Sequence, residues 1–540
     1  MKGIEIHCCA IEKSIMSFPM GALCIKTAIN QGSNLPKASL YEHLLNDDPV
    51  EAAREAASHE PWALGMSTYI WNSEWFKTFA EEFDRLSPET IVFAGGPQMI
   101  DHLNGIPSWL DFAVLGEGEV STVEALEKLY AGTPIEDLRT DGLITKSFLS
   151  PVNSTLPDLS KLASPFLSGE ADCIIDEYDS VLWEMTRGCP FACAFCFESR
   201  GKRIVRDYPN ERIEKELDYL IAHDIQNVFV LDPTFNLNPE RAKVLMRMLI
   251  AKAPHNMHFT FEIRAELVDE ELAELFATLN CSLQIGLQSS DKEVVKEIGR
   301  HFNKEELSSK VALLAKNGVS FGLYVIIGLP HDTLEKFKET IDFTVSQQPS
   351  NIDCFLLSLL PGTDLARRAE SLGLVPGDDV MRTVVRTETM DEETIQVALA
   401  VKDGMDMFFT KGQSGMWIHV ALEALNMRAS DLFLRFNNWM VENDRSDEED
   451  IWILQDEFIT ELFSEQGKEN LLPAMKSFME LHQGICFVTD TGEYAEVELS
   501  YSLDDLSDLD NMSLISFVEN HEMEPNVTTI VMEEDGVRFY

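Results

Sequence analysis

The segment TRGCPFACAFC, Thr186 to Cys196, begins at the end of the apolar run VLWEMT. Its three cysteines, Cys189, Cys193 and Cys196, are separated by three and then two residues. At this spacing three thiolates can wrap one loop around a cubane iron–sulfur cluster and ligate three of its irons, which leaves the fourth iron open. The segment therefore predicts a [4Fe–4S] site in a loop that follows a strand.

Two other interpretations of these cysteines stay open on spacing alone. A structural zinc site usually has four ligands, often as paired CxxC knuckles, and no fourth Cys or His lies nearby in the sequence. Buried cysteines can also act as small apolar side chains. Ten cysteines in 540 residues are too few and too scattered for a disulfide framework.

The chain downstream of this segment alternates between strands and helices. Between residues 178 and 375 six apolar runs read as strands, with a helical segment after most of them. These runs are VLWEMT, NVFVL, HFTFEI, SLQIGLQ, SFGLYVIIG and DCFLLSL. Six βα units at this spacing predict a partial (β/α)6 barrel of the TIM type, with function at the carboxyl ends of its strands.

Residues 1–150 show the same alternation in a shorter form. KGIEIHCCA, WALGMST, TIVFAGG and LDFAVLG read as buried strands, and SEWFKTFAEEFDRL has apolar residues at helical spacing. Buried strands joined by helices predict a Rossmann-like parallel sheet covered on both faces. The fold class is therefore α/β, with a ligand expected at the carboxyl ends of the strands.

Two further regions complete the predicted organisation. Residues 151–177, rich in Ser, Pro and Leu, read as a linker that packs along a domain surface. Residues 376–540 read as a mostly helical extension with an acidic, mixed α/β end. In that end ICFVTD, AEVELSY and TTIVMEE are predicted as strands.

Charge and hydropathy restrict the possible partners. The formal net charge is −49, from 92 acidic and 43 basic residues. This excess opposes binding to nucleic-acid backbones and to anionic membrane surfaces. No apolar run reaches the roughly 18 residues of a spanning helix, and the amino terminus lacks the features of a secretory signal. We therefore expect a cytoplasmic protein that binds neither nucleic acid nor membrane.

CxxxCxxC, with the aromatic Phe195 before the last cysteine, resembles the signature of radical S-adenosylmethionine (SAM) enzymes. The resemblance implies that the amino and carboxylate groups of SAM chelate the fourth iron. It implies reductive cleavage of SAM to a 5′-deoxyadenosyl radical, with electrons from a donor such as flavodoxin or ferredoxin. It is strongest over residues 180–365.

The ends of the barrel strands are similar to the SAM-binding positions of this family. Asp232 and Thr234, in LDPTFN, correspond to the position that receives the methionine amino group. Polar groups of the third and fourth strands face the mouth, and a glycine of the fifth lets adenine approach the backbone. The predicted SAM residues are Phe195, Asp232, Thr234, Glu262, Arg264, Gln288, Ser289, Gly328 and Pro330.

Three segments of residues 1–150 resemble the cobalamin-binding domain fused to many radical SAM enzymes: LGMSTYIWN, FAGGPQ and VLGEGE. The resemblance implies a cobalamin site lined by glycines and hydroxyls. Its predicted residues are Gly65, Ser67, Thr68, Tyr69, Gly95, Gly96, Gly116, Glu117 and Gly118. The axial-ligand motif DxHxxG is missing, and His43 in LYEHLLN is predicted to lie on a helix surface rather than to bind cobalt.

The extension beyond residue 375 resembles that of the DUF4080-type branch of this fused family. The leading hypothesis is a cobalamin-dependent methyltransferase that acts on an unactivated carbon of a small-molecule, lipid or peptide substrate. A radical SAM oxidation, rearrangement or cyclisation without cobalamin is the enzymatic alternative. A non-catalytic cobalamin or iron–sulfur sensor is the alternative from another class.

Overall fold

The computed structural model describes residues 2–150, 156–198, 203–533 and 536–540. The amino-terminal part of the chain forms a six-stranded sheet with helices on both faces. The strands are β1 (Ile4–Ala10), β2 (Ala38–Leu44), β3 (Ala63–Ser67), β4 (Ile91–Gly95), β5 (Phe112–Val114) and β6 (Leu143–Thr145). The helices are α1 (Met20–Gly32), α2 (Pro49–Ser58), α3 (Ser73–Leu86) and α4 (Glu119–Tyr130).

The strand order of this sheet is β2-β1-β3-β4-β5-β6, and only β6 is antiparallel to its neighbour. A parallel sheet with the order 2-1-3-4-5 changes winding direction between β1 and β3, and ligands bind at the carboxyl ends of the strands near such a point. Ser67 ends β3 and Gly95 ends β4, so two of the predicted cobalamin segments lie at this edge.

The second sheet contains the six strands predicted for the barrel, all parallel, in the order β14-β13-β12-β11-β10-β7. The six strands are β7 (Ser180–Trp183), β10 (Asn227–Val230), β11 (His258–Ile263), β12 (Cys281–Gln288), β13 (Ser320–Ile327) and β14 (Asn351–Leu356). A short antiparallel pair, β8 (Thr186–Arg187) with β9 (Arg206–Asp207), frames the cysteine loop. The partial (β/α) barrel is therefore confirmed.

Helices cover the outside of this barrel sheet. Their bounds are α5 (Asn210–Ala222), α6 (Pro239–Lys252), α7 (Glu270–Thr278), α8 (Lys292–Glu297), α9 (Lys304–Lys316), α10 (Leu334–Ser346) and α11 (Asp364–Arg368). Asp269, Asp291, Asn303 and Thr333 each accept a backbone N–H at the start of the following helix. Such side-chain caps satisfy otherwise unpaired donors and fix where the helix begins.

The carboxyl-terminal region is mostly helical, as predicted. After the short strands β15 (Val375–Pro376) and β16 (Val384–Arg386) come five longer helices, with a π-helical turn at Asp406–Lys411. The five are α12 (Glu392–Met405), α13 (Ile418–Leu425), α14 (Ala429–Glu442), α15 (Ile451–Glu465) and α16 (Leu472–Thr491). The last elements are β17 (Ala495–Leu499), α17 (Leu503–Leu506), α18 (Leu514–Asn520), β18 (Asn526–Glu533) and β19 (Gly536–Phe539).

Two local predictions are wrong. ICFVTD, residues 485–490, continues α16, because Leu481, Gly484 and Val488 are buried at helical spacing along that helix. His43 lies on β2, which pairs in parallel with β1, and its Nε2 is 2.9 Å from Nδ1 of His7. Burial lowers the pKa of His43 to about 4.

The predicted linker is more deeply packed than expected. Residues 151–155 lie outside the described residues, but Leu159, Phe166 and Ile175 are buried in the same apolar core as Trp183 of β7. The predicted domain boundaries at 150, 177 and 375 stay predictions. In the described part of the chain no helix is both long and apolar enough to cross a membrane.

The close approach of α12 to α14 predicts a large effect of one added methyl group. A Cβ on Gly404 would lie 2.0 Å from the carbonyl oxygen of Phe433, so we expect Gly404→Ala to lower stability by about 1–3 kcal/mol. Gly32→Ala, where a Cβ in α1 meets nothing within 4 Å, is the matched control. Thermal unfolding of both variants measures the difference; equal melting temperatures would refute this packing.

Candidate active site

The cysteine loop lies across the mouth of the barrel and is held by backbone hydrogen bonds. Ala194, between the second and third cysteines, donates its N–H to the carbonyl of Ile298 at 2.8 Å. Its own carbonyl accepts the N–H of Leu365 at 2.9 Å. The loop is therefore fixed to the end of α8 on one side and to the start of α11 on the other.

Gly299 packs so closely against the cysteine loop that only a residue without a side chain fits there. Its φ is +72°, and a Cβ there would lie 2.5 Å from the carbonyl oxygen of Ala192. Gly188, just before the first cysteine, has a φ of +93°, and its Cβ would lie 2.3 Å from the carbonyl oxygen of Ile204. Both positions therefore require glycine if the loop is to keep this path.

The thiols of the cysteine loop lie next to positively charged side chains. All ten cysteines lie in the described part of the chain as thiols, and Cys193 is buried. Burial raises the pKa of Cys189, and the charge of Arg264 opposes this. The buried Arg300 guanidinium donates to the carbonyl of Gly286 at 2.7 Å and to Cys193, whose attraction partly offsets the lowering of its pKa by burial. This donor set fits an anionic cluster held by thiolates.

Among the residues that the structure describes, no three His, Cys, Asp or Glu side chains converge on one point as ligands of a single metal ion would. A cubane cluster binds each cysteine through a different iron, so its thiolates do not need to meet at one point.

Asp232 accepts two backbone hydrogen bonds next to the cysteine loop. Its Oδ1 accepts the N–H groups of Met185 and Thr186 at 2.8 and 2.9 Å, which fixes the turn into the cysteine loop. Burial raises the pKa of Asp232 to about 6, and these hydrogen bonds oppose the rise. Thr234 is buried next to it, and its hydroxyl donates to the carbonyl of Pro233 at 2.6 Å.

Glu262 and Arg264 lie at the end of β11 as predicted, but their environments differ. The Arg264 guanidinium carbon is 3.6 Å from the centre of the Phe191 ring in the cysteine loop, and Nη1 is 3.4 Å from Glu266. Glu262 is half-buried, and burial followed by the charge of Glu198 raises its pKa. Arg264 thus contacts the cysteine loop, whereas Glu262 is a residue of the strand β11.

The remaining predicted SAM residues lie at the ends of β12 and β13 or in the loop. Gln288 is buried with a φ of +65°, while the Ser289 hydroxyl lies 3.4 Å from that of Thr340 in the barrel wall. Gly328 has a φ of +85°, and no atom lies closer than 3.7 Å to the position of its Cβ. Pro330 is buried, and Phe195 packs against a buried apolar cluster under the loop.

Hydroxyls and glycines meet at the carboxyl edge of the first sheet. The Thr68 hydroxyl donates to the carbonyl of Gly95 at 2.7 Å, and Tyr69 is held by Ser67 and stacked on Trp71 with ring centres 4.4 Å apart. A Cβ on Gly95 would meet nothing within 4 Å, so the backbone there is open to a ligand.

The other glycines predicted for this edge are explained by packing or by the backbone. A Cβ on Gly65 would lie 2.4 Å from the ring of Phe93, and one on Gly118 would lie 2.9 Å from Ile25. Gly96 and Gly116 have positive φ of +108° and +76°. A Cβ on Gly96 would lie 2.3 Å from the Thr68 carbonyl oxygen.

Glu117 joins this edge to the barrel through ion pairs that sequence reasoning missed. Arg187, two residues before Cys189, lies 3.2 Å from Glu117, 2.7 Å from Glu119 and 2.8 Å from Glu184. Arg206, opposite Arg187 in β9, also pairs with Glu117. We call these five residues the Arg187 network. The signal in the sequence was a pair of glutamates in VLGEGE and an arginine directly before the cysteine motif.

Comparison with known proteins identifies the class. Residues 183–344, from the last residue of β7 through most of α10, match the model of the Radical SAM superfamily. The matched region contains all three cysteines and the strands β10 to β13. This part of the chain is therefore a radical SAM domain, which implies SAM and a [4Fe–4S] cluster as cofactors.

Relatives in sequence and structure extend the similarity beyond this region. The cobalamin-dependent radical SAM methyltransferase TokK of Streptomyces tokunonensis is 25% identical over 66% of this chain and 56% of its own. The 2-(S-pantetheinyl)-carbapenam-3-carboxylate methyltransferase of Streptantibioticus cattleyicolor is 26% identical over 54% and 46%. The chain thus spans about half the length of these curated relatives.

Two solved structures share the fold. The cobalamin-dependent SAM radical enzyme OxsB, with aqua-cobalamin and SAM bound, aligns over 95% of this chain and 83% of its own, with a TM-score of 0.61 and 13% identity. The radical SAM methyltransferase TsrM of Kitasatospora setae, with cobalamin and a [4Fe–4S] cluster bound, aligns over 70% and 76%, with a TM-score of 0.55 and 18% identity. The arrangement of a parallel-sheet domain, a barrel and a helical extension is therefore shared.

Gly299→Ala tests the support under the cysteine loop. We expect it to displace the loop and to reduce the iron bound after anaerobic reconstitution severalfold. Gly318→Ala is the matched control, since Gly318 has almost the same φ of +73° but meets nothing within 4 Å. Iron and sulfide per chain are the measurement. If both variants retain the same iron, the contact with Ala192 is not what holds the loop.

Glu117→Gln tests the Arg187 network. Removing one charge from this partly buried network should weaken the contact between sheet and barrel by about 1.5–3 kcal/mol. Hydrogen exchange of residues 114–119 and 184–198 should then become about tenfold faster or more. Glu124→Gln, which removes an exposed pairing with Lys128 on α4, should leave exchange unchanged. Unaltered exchange in Glu117→Gln would show that the network does not hold the two parts together.

Proposed function

We propose that this protein is a cobalamin-dependent radical SAM enzyme that methylates an unactivated carbon. The observation that carries the proposal is the Arg187 network, since it brings the carboxyl edge of the first sheet against the loop of Cys189, Cys193 and Cys196. The names of the methyltransferase TokK and of the methyltransferase TsrM support the same reaction class.

The cofactors are assigned to residues of this chain as follows. Cys189, Cys193 and Cys196 hold the cluster, and the ends of β11 to β13 receive SAM. The open edge at Ser67, Tyr69 and Gly95 receives cobalamin. When bound, the cluster and SAM supply a 5′-deoxyadenosyl radical, and cobalamin supplies the methyl group that is transferred.

The chain's own residues position these groups. Gly299 and the hydrogen bonds of Ala194 hold the loop, and Asp232 fixes the turn that leads into it. Arg300 places buried positive charge beside Cys193, which stabilises negative charge on the ligand.

We further propose that the substrate is a small molecule, lipid or peptide and that flavodoxin or ferredoxin provides the electron. A reducing, cytoplasmic setting suits a chain whose ten cysteines are thiols. The formal charge of −49 disfavours a nucleic-acid substrate.

The proposal is tested by anaerobic reconstitution with iron, sulfide and hydroxocobalamin, followed by SAM and dithionite. We expect formation of 5′-deoxyadenosine or S-adenosylhomocysteine, and loss of both by at least about a hundredfold in Cys193→Ala. Cys281→Ala, which removes a thiol buried in the barrel wall, is the control and should keep the activity. A loaded protein that cleaves SAM without retaining cobalamin would favour a cobalamin-independent radical reaction. If the loaded protein turns over no SAM at all, the proposal that it is a radical SAM enzyme is refuted.

A further inference from the structure

We propose that the inside of the barrel binds a substrate that carries an ammonium group on an apolar frame. The proposal rests on the proposed function, because it assigns the substrate class of the same site. It concerns Glu262, Asp353, Gln284, Tyr324 and Phe355, which we call the barrel lining. It reassigns Glu262 from SAM to the substrate.

The strand register places these five residues on one face. Glu262 pairs with Gln284 across β11 and β12, and Tyr324 pairs with Asp353 across β13 and β14. The side chains between them on each strand, such as Ile263, Ile285 and Cys354, are buried in the apolar core. Because side chains alternate between the two faces of a strand, the partly exposed set faces the inside of the barrel.

Two carboxylates contribute most of the charge of this lining. Burial raises the pKa of Glu262, and burial together with the charge of Asp406 raises that of Asp353. Both carboxylates, after burial, also contribute to the raised pKa of Tyr324, so all three groups lie near one another. Asn351 donates to one oxygen of Asp353 at 2.7 Å.

Two buried amide oxygens are unused acceptors, that of Gln284 in the barrel lining and that of Gln288 nearer the mouth. Neither Oε1 of Gln284 nor Oε1 of Gln288 has a hydrogen-bond partner among the described residues. Gln288 is only 6% exposed. Its amide lies against the inner side of Gly286, where a Cβ would be 2.8 Å from Nε2 and 3.0 Å from Oε1; Nη1 of Arg300 lies 3.2 Å from the same position. Buried acceptors without donors are costly, and a ligand with several N–H groups would satisfy them.

An exposed aromatic side chain completes the pocket. Phe355 is 53% exposed although it lies on the inner face of β14, and its ring meets that of Tyr324 edge to face with centres 5.6 Å apart. Aromatic rings next to carboxylates bind organic cations, because the ring faces attract the charge and the ring surface covers the apolar part. The apolar frame of the ligand is therefore assigned to Phe355.

Two positive charges lie at the mouth, beside the cysteine loop. Arg264 is stacked on Phe191 of that loop, and Arg300 donates to Gly286 and Cys193. The mouth thus offers cations to anionic cofactor groups, and the barrel lining offers acceptors deeper inside. This separation of charge orients a ligand with its ammonium group away from the loop.

The test measures binding of three probes to the full-length, cluster-loaded protein by saturation-transfer difference NMR. The probes n-butylammonium, n-butanol and n-pentanoate differ in charge and share the same butyl chain. We expect the dissociation constant of butylammonium to be about tenfold lower than those of the other two. Glu262→Gln/Asp353→Asn should abolish this preference.

A surface control separates the pocket from the general negative charge of the protein. Glu240→Gln/Asp176→Asn also removes two carboxylates, but their side chains are 85% and 84% exposed, and it should leave binding unchanged. Phe355→Ala should weaken the binding of n-butylammonium severalfold and the binding of methylammonium only slightly. This variant provides the test if the double variant does not fold.

Equal binding of the three probes would overturn the inference, and so would binding that survives both pocket variants or that falls equally in the surface control. None of these readouts requires SAM cleavage. A protein that cleaves SAM but does not prefer butylammonium would refute only the substrate class. A protein that prefers butylammonium but never cleaves SAM would refute only the proposed reaction.

Discussion

Arg187 forms ion pairs with Glu117, Glu119 and Glu184, and the arrangement of the site follows from them. The arginine lies two residues before the first cysteine; of its partners, Glu117 lies in the loop after β5 and Glu119 begins α4. A guanidinium with little solvent contact is stable only if its donors are satisfied, so the edge of the first sheet must lie against the cysteine loop. One set of contacts therefore places two predicted cofactor regions beside each other.

The close packing around the cysteine loop also fixes the arrangement of the site. Ala194 is bonded on both sides, and Gly299 lets the loop pass where any side chain would collide with Ala192. A rigid loop keeps its thiols in place before a cluster binds, which reduces the cost of ordering them. Behind the loop the barrel offers buried acceptors and an aromatic ring, so the site has a cationic mouth and an anionic interior.

Much of this could be predicted from the sequence because the information is local. The spacing of three cysteines, the apolar strands and the glycine-rich ends of β4 and β5 each lie within a few residues. The assignment to the DUF4080-type branch and the ligands of the individual site residues stay predictions. Contacts between distant segments could not be predicted from the sequence. An example is Glu117, which pairs with arginines some 70 and 89 residues away.

The errors have the same origin. His43 is predicted to lie on a helix because its strand, β2, lies at the edge of the sheet, where only one of its seven residues is buried and the alternation is weak. ICFVTD has the composition of a strand, but α16 already extends through it, and tertiary packing overrides local propensity. Asp232 stays a predicted SAM residue, and its Oδ1 accepts the backbone N–H groups of Met185 and Thr186.

If the Arg187 network brings the two cofactor regions together, the cluster and cobalamin occupy one shared site. The most direct measurement is electron paramagnetic resonance of the protein loaded with both groups, with the cluster reduced and cobalt in the Co(II) state. We expect magnetic coupling between the two spins, seen as broadened signals and faster relaxation of cobalt. A spectrum equal to the sum of the two isolated centres would contradict it.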